Sequence, residues 1–253
     1  MKLAPIVPMA LRQTRTEFLR LFRSPEFTGF TLAFPAILYL FVGTQTGSYA
    51  GLDLHRYMLA SLAAYAAVNV ALFSFGVTVA TERLNRTDAL MRATPLRPWV
   101  ALLGKTVAAV VFASAALLVL YVFADLVAGA RLGADEYVGL TLRLLLGMLP
   151  FLAMGFAIGY LVNPGAAVVV VNLIFLPMSF ASGIFIPVRV LPSYVQTIAP
   201  YLPMYHYGRV AWSAIGVRYD DLGRSVLWLA GYLVLFVAAA LWAQRRDELK
   251  RFA

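Results

Sequence analysis

The chain has 253 residues, 62% of them hydrophobic and 13% charged, with a mean hydropathy of +0.80 and no cysteine. Globular domains average about 45–50% apolar and about 25% charged, so the composition excludes a water-soluble fold and indicates a membrane protein. Six spans of about 20 residues would use half the chain and leave no room for a separate soluble catalytic domain. Without cysteine there is no disulfide framework, thiolate nucleophile or cysteine-ligated metal. The net charge of +9 is carried by Lys and Arg that flank apolar blocks, which points to membrane topology rather than to nucleic acid.

The first 26 residues form a basic tail. Leu11, Phe18, Leu19, Leu21 and Phe22 share one arc at about 100° per residue, with Arg12, Thr16, Glu17, Arg20 and Arg23 opposite, the pattern of an amphipathic interfacial helix. Arg15 lies in the apolar arc, where its stem can follow lipid while the guanidinium snorkels to the headgroups. Such a helix serves as an anchor or, additionally, as a rim for a cytoplasmic partner. No Ala-x-Ala-like site follows a short apolar core, so the first run is expected to be a retained span rather than a signal peptide.

Apolar runs of spanning length cover about 27–46, 57–79, 100–124, 143–162, 166–186 and 226–243. The expected fold is an all-α integral membrane protein, with a tail and interfacial helix over 1–26 and a six-span domain over 27–253. Six spans put both termini on one side. Alternate connections carry 14 and 7 Lys and Arg, so the termini are expected in the cytoplasm. Spans four and five are joined by Asn163-Pro164-Gly165, a turn sequence that predicts a tight antiparallel hairpin.

Between spans two and three, residues 81–99 are too polar for lipid and too few for a domain. Residues 82–93 favour helix and Pro95 and Pro98 stop it, predicting a short helix across the membrane face with Leu90 and Met91 among charges of both signs; an ordinary solvated loop is the alternative. After span five, Ser182-Gly183-Ile184-Phe185-Ile186-Pro187 leads into further prolines at 192, 200 and 203. An apolar stretch so often broken predicts short re-entrant or interfacial half-helices on the outer side, acting as a static lid or as a moving gate.

No Gly-x-x-x-x-Gly-Lys-Ser/Thr loop occurs, so ATP hydrolysis is not expected from this chain. His55 and His206 stand outside any His-Glu-x-x-His pattern, and no metal site is expected. Glu82, Lys105, Asp125 and Arg143 fall near span ends, where they can reach the interface. No carboxylate or histidine falls at mid-span, which argues against an ion-coupled carrier. The mid-span polar groups Asn69, Ser74, Thr78, Asn172, Ser179 and Ser182 suit interhelical hydrogen bonds or a weakly polar pathway. Tyr65, Phe73, Phe175 and Met178 are candidates to line that pathway with Asn69, Asn172 and Ser179, and ordinary packing explains each equally well.

The order of three patterns resembles the permease subunit of bacterial type-2 ATP-binding-cassette (ABC-2) exporters, including drug-efflux permeases of the daunorubicin-resistance kind. They are Arg23-Ser24-Pro25 before Phe34-Pro35; Glu82-Arg83 followed by Ala93-Thr94-Pro95-Leu96 and Gly104-Lys105; and Ser182 to Pro187 followed by Leu191-Pro192 and Pro200-Tyr201-Leu202-Pro203. The family often has Gly soon after the Glu-Arg pair, where this chain has Asn85-Arg86-Thr87. The resemblance implies export of a lipophilic drug, lipid or peptide-like compound by alternating access from the bacterial inner membrane. It also implies a second permease chain, identical or paralogous, and two ABC ATPase subunits that hold ATP and Mg. The coupling element would be Glu82 to Leu96, with Glu82, Arg83, Asp88 and Arg92 for charged contacts, Leu90 and Met91 for an apolar plug, and Thr94, Pro95 and Leu96 completing it. Ser182, Gly183, Phe185 and Pro187 would form an outer gate. The rivals are an ATP-independent carrier or channel, or a structural membrane subunit.

Overall fold

The computed structural model describes residues 6–42, 47–49, 52–85, 98–129 and 132–252. Helices α1 (Ile6–Phe22) and α2 (Pro25–Val42) precede a two-residue ladder, β1 (Ser48–Tyr49) with β2 (Leu52–Asp53), which opens α3 (Leu54–Leu72). The chain continues from α3 through a π-helical segment, Phe73–Val77, into α4 (Thr78–Leu84). Then follow α5 (Pro98–Ala128), α6 (Ala134–Gly147), α7 (Leu149–Leu161), α8 (Ala167–Ala181), α9 (Ser193–Ile198), α10 (Pro203–Ala214) and α11 (Leu222–Phe252).

Among the described residues five helical stretches are long and apolar enough to cross a membrane: 54–84, 99–127, 134–161, 164–181 and 222–247. The first expected span, 27–46, corresponds to α2, whose apolar part Thr31–Phe41 is shorter than a span; residues 43–46 lie outside the described set. Three expected boundaries are corrected. The run 143–162 begins at Ala134 and breaks at Met148, because Pro150 cannot donate the next ladder hydrogen bond. The run 166–186 ends its helix at Ala181, where Gly183 takes φ +86 and turns the chain. The run 226–243 sits inside a helix of 31 residues.

Helix α3 is the hub. Every residue from Tyr57 to Leu72 is buried, and the many alanines let α2, α5, α7 and α10 approach it closely. The Asn163-Pro164-Gly165 turn forms as expected, with Asn163 Oδ1 accepting from the Gly165 N–H at 3.2 Å. The helices it joins pack more on other elements than on each other. Helix α7 packs chiefly on α11 and on the π segment, while α8 lies against the π segment. Glycines allow this seam: a Cβ on Gly155 would stand 3.0 Å from the Leu72 carbonyl oxygen, and one on Gly159 would stand 2.8 Å from Val79 Cβ.

The broken stretch after α8 consists of single helical turns at Val188–Val190 and Ala199–Tyr201 around α9, and then α10. Helix α10 re-enters the bundle. Its Trp212 donates to Ser61 Oγ at 2.8 Å and stacks on Tyr57, and its Tyr207 donates to the Leu144 carbonyl at 2.9 Å. Helix α1 is present and amphipathic, with Leu11 and Phe22 of the apolar arc exposed where lipid would meet them, but Glu17 of the expected polar arc is buried against α5.

Candidate functional site

The continuous stretch α3–π–α4 carries side chains for two neighbouring features. One is a cavity of about 420 Å³ between α1, α2, the π segment, α4 and α8. Its apolar wall is Leu21, Phe73, Val77 and Val168, and its polar wall includes Thr31, Asn69, Thr78 and Asn172, with Arg20 and Ser24 towards one end. Thr31 Oγ1 donates to Asn69 Oδ1 at 3.3 Å. The Asn172 amide donates to the Val168 carbonyl at 3.0 Å, which leaves its own oxygen without a partner among the described residues. An apolar concavity of this size with a few fixed polar groups suits an amphiphilic small molecule.

Of the expected pathway residues, Asn69, Phe73 and Asn172 line this cavity. Tyr65, Phe175, Met178 and Ser179 are buried behind it. The Tyr65 ring stacks on Phe175 at 4.7 Å and meets Phe185 at 5.1 Å, and Ser179 Oγ donates to the Phe175 carbonyl at 2.7 Å. Phe185 therefore joins the expected gate to the expected pathway. Within that gate, Ser182 and Gly183 are buried and Pro187 is half-buried. The Ser182 hydroxyl has no hydrogen-bond partner among the described residues.

The second feature is a buried ionic cluster. Glu82 pairs with Arg20 of α1 and with Lys105 of α5; Lys105 also reaches Glu17 at 3.0 Å, and Arg20 reaches Glu17 at 2.6 Å. Gln13 donates to Glu17 at 2.9 Å. Glu17, Glu82 and Lys105 are 5%, 8% and 7% exposed, and two cations balance two carboxylates, which is what lets the charges stay buried. Arg83 faces the other way. It donates to the carbonyls of Gly159 and Val162 at 2.7 and 3.1 Å, closing the end of α7, and pairs with Asp247 of α11 at 2.6 Å.

Two expectations are corrected here. Glu82 and Lys105 do not reach out to the interface but neutralise each other inside it. Glu82 and Arg83 do not open a separate helix either; they form the last turn of α4, which Asn85 ends. The remaining expected coupling residues, Asp88, Leu90, Met91, Arg92, Thr94, Pro95 and Leu96, lie outside the described residues. Thr31, Gly155 and Gly159 are functional positions that no motif marked, and Arg20 and Lys105 carry a cluster role that their place in an arc and at a span end did not suggest. The Gly-x-x-x-Gly spacing of Gly155 and Gly159 was the available signal for a close helix seam.

His206 lies outside these features. Its Nε2 donates to the Pro200 carbonyl at 2.8 Å, so Nδ1 accepts from the Ser225 hydroxyl at 3.3 Å, and the ring stacks on Trp228. Burial pushes its pKa below the usual histidine value. No group of His, Asp and Glu fit to hold a metal occurs among the described residues.

Apolar helices of spanning length around a polar-walled cavity, with paired charges at one end, define a multi-pass membrane transport subunit. A family profile described as "ABC-2 family transporter protein" matches residues 41–242. The chain belongs to the ABC-2 transporter family, whose permeases work with ATPase subunits. It is similar to a Bacillus subtilis (strain 168) protein named "Putative transport permease YvfS", with 25% identity over 241 residues that cover 94% of this chain and 97% of the relative.

Proposed function

We propose that this permease exports a lipophilic drug, lipid or peptide-like compound from the cytoplasm or inner leaflet of a bacterial inner membrane, driven by ATP. Two ATPase subunits hold the ATP and Mg, and a second permease chain, identical or paralogous, completes the pathway. All six expected spans cross the membrane and both termini are cytoplasmic. The observation that carries this reading is the continuity of α3–π–α4: one stretch lines the cavity through Asn69, Phe73 and Thr78, and about one turn on it holds Glu82 and Arg83.

The division of labour follows from the pairing. Asp88, Leu90, Met91, Arg92, Thr94, Pro95 and Leu96 meet the ATPase. Glu82 and Arg83 act behind them, because their charges are already engaged. A displacement of the segment after Asn85 pulls on α4, and the Glu82 cluster passes it to α1 and α5 while Arg83 passes it to α7 and α11. The cavity walls belong to the same elements, so its shape follows. The π segment is where this stretch bends, since π geometry is less regular than α geometry and recurs at functional sites. Substrate leaves past Gly183 to Pro187, whose turn packs on Tyr65 through Phe185.

The test is purification of the tagged chain from its native membrane, with copurifying proteins and ATP hydrolysis measured for the wild type and for a double charge reversal at Asp88 and Arg92. Glu82 is left intact, because its reversal would break the internal cluster and confound the result. A stoichiometric ATPase that is lost in the variant is expected. An isolated chain with no ATPase would overturn the exporter and favour a self-sufficient carrier. A locking cross-link between Gly183 and Pro187 that leaves export normal would remove the gate.

A further inference from the structure

A groove of about 540 Å³ runs between α5 and α6 and shares no lining residue with the cavity. Its sides are aliphatic: Leu118, Val122, Val138 and Leu142 line it, and all four are exposed. At one end stands Asp125, an exposed carboxylate that accepts from the Tyr137 hydroxyl at 2.5 Å. Its other oxygen has no partner among the described residues, and no other charged side chain lines the groove. The polar floor is self-contained, because the Tyr121 and Thr141 hydroxyls bond each other at 3.3 Å.

Depth fixes the polarity of the occupant. Asp125 stands three residues before α5 ends at Ala128, at the end of the 99–127 stretch of spanning length, so it reaches headgroup level and the groove extends from it into the hydrocarbon. An occupant therefore needs a hydrocarbon chain joined to a cation at headgroup level, and the cation must donate hydrogen bonds to the available carboxylate oxygen. A primary ammonium has three N–H donors and a trimethylammonium has none. We propose that the groove between α5 and α6 binds a phospholipid with a primary-amine headgroup, its acyl chain along Leu118 and Val122 and its ammonium on Asp125. The assignment does not depend on what the permease exports.

Native mass spectrometry of the full chain tests it, with dioleoyl phosphatidylethanolamine, phosphatidylcholine and phosphatidylglycerol offered at equal mole fraction in mixed micelles. One ethanolamine lipid per chain is expected, retained about fivefold over the choline lipid, the scale of one interfacial charge-assisted contact. Asp125→Asn should remove the preference, and Asp125→Glu should keep it. Leu118→Trp, at a lipid-exposed rim position, should fill the groove and lower ethanolamine retention even if the Asn variant is too unstable to purify. Equal retention of the three lipids, or a preference that survives in Asp125→Asn or Leu118→Trp, overturns the site. Displacement of the ethanolamine lipid by an equimolar lipophilic cation, tetraphenylphosphonium, overturns the lipid as its occupant.

Discussion

Removing one charge from the Glu17–Arg20–Glu82–Lys105 cluster tests whether it holds the bundle together or merely decorates it. In Lys105→Met two carboxylates remain for Arg20 alone, and in Glu82→Gln two cations remain for Glu17 alone. At the 3.0 Å between Lys105 and Glu17, one ion pair in an effective dielectric of about 20 is worth about 5 kcal/mol before desolvation is subtracted. The net cost of leaving a buried partner unpaired is about 3–5 kcal/mol. For a chain of this size that lowers the melting temperature by about 6–20 °C. The double variant keeps a balanced Glu17–Arg20 pair at 2.6 Å, so its loss should fall short of the sum of the singles by about 2–3 kcal/mol. Thermal unfolding in one mild detergent, followed by tryptophan fluorescence, measures all three. Strict additivity, or single variants that melt with the wild type, would falsify the view that these four side chains act as one unit.

Three further outcomes follow from the packing. Gly159→Ala places a methyl 2.8 Å from Val79 Cβ and 3.0 Å from the Gly76 carbonyl oxygen, so it should destabilise by about 1–3 kcal/mol; an unchanged melting temperature would mean that the seam yields freely. Arg83→Gln removes the ion pair to Asp247 and the two hydrogen bonds that cap the Gly159 and Val162 carbonyls, a loss of about 1–3 kcal/mol read in the same assay; a melting temperature equal to the wild type's would mean that the cap carries no stability. His206, with Arg209, Arg224 and Asp221 around it, has its folded-state pKa pushed below the unfolded value near 6.5. Its contribution is therefore complete above about pH 6.5 and is lost as pH falls towards the lower folded value, because the unfolded chain takes up the proton first. Melting temperatures at pH 5 and pH 7.5 should converge in His206→Asn, and a wild type flat over that range would contradict the assignment.

The parts of this architecture written in local pattern were legible in the sequence. Apolar runs located all five long stretches, the prolines after Ala181 located the broken segment, and Asn163-Pro164-Gly165 located its turn, because each depends on residues adjacent in the chain. What escaped depends on residues far apart. Glu82 meets Lys105 across 23 positions and Arg20 across 62, so charges that looked as if they sought the interface instead satisfy each other. The polar arc of α1 misled for the same reason: a helical wheel reports polarity, and Glu17 turns inward only because a lysine of α5 awaits it. Of the expected pathway, Asn69, Phe73 and Asn172 reach the cavity, whereas Tyr65 and Phe175 stack behind it, a distinction that periodicity cannot make within a helix buried on every side. The π segment has no compositional mark. It is visible only as a departure from the regular ladder, in the place where Gly155 and Gly159 allow α7 to press closest.

Helix α11 runs without a break from Leu222 to Phe252, 31 residues, or about 46 Å at 1.5 Å per residue. A hydrocarbon core takes up about 30 Å of that, so about 15 Å of stiff rod projects past the lipid beside the Arg83–Asp247 clasp. A label near its tip, at Leu249, would magnify any tilt of the buried part into a displacement large enough to follow by spin–spin distances, and the chain thus carries its own pointer for watching the bundle change shape.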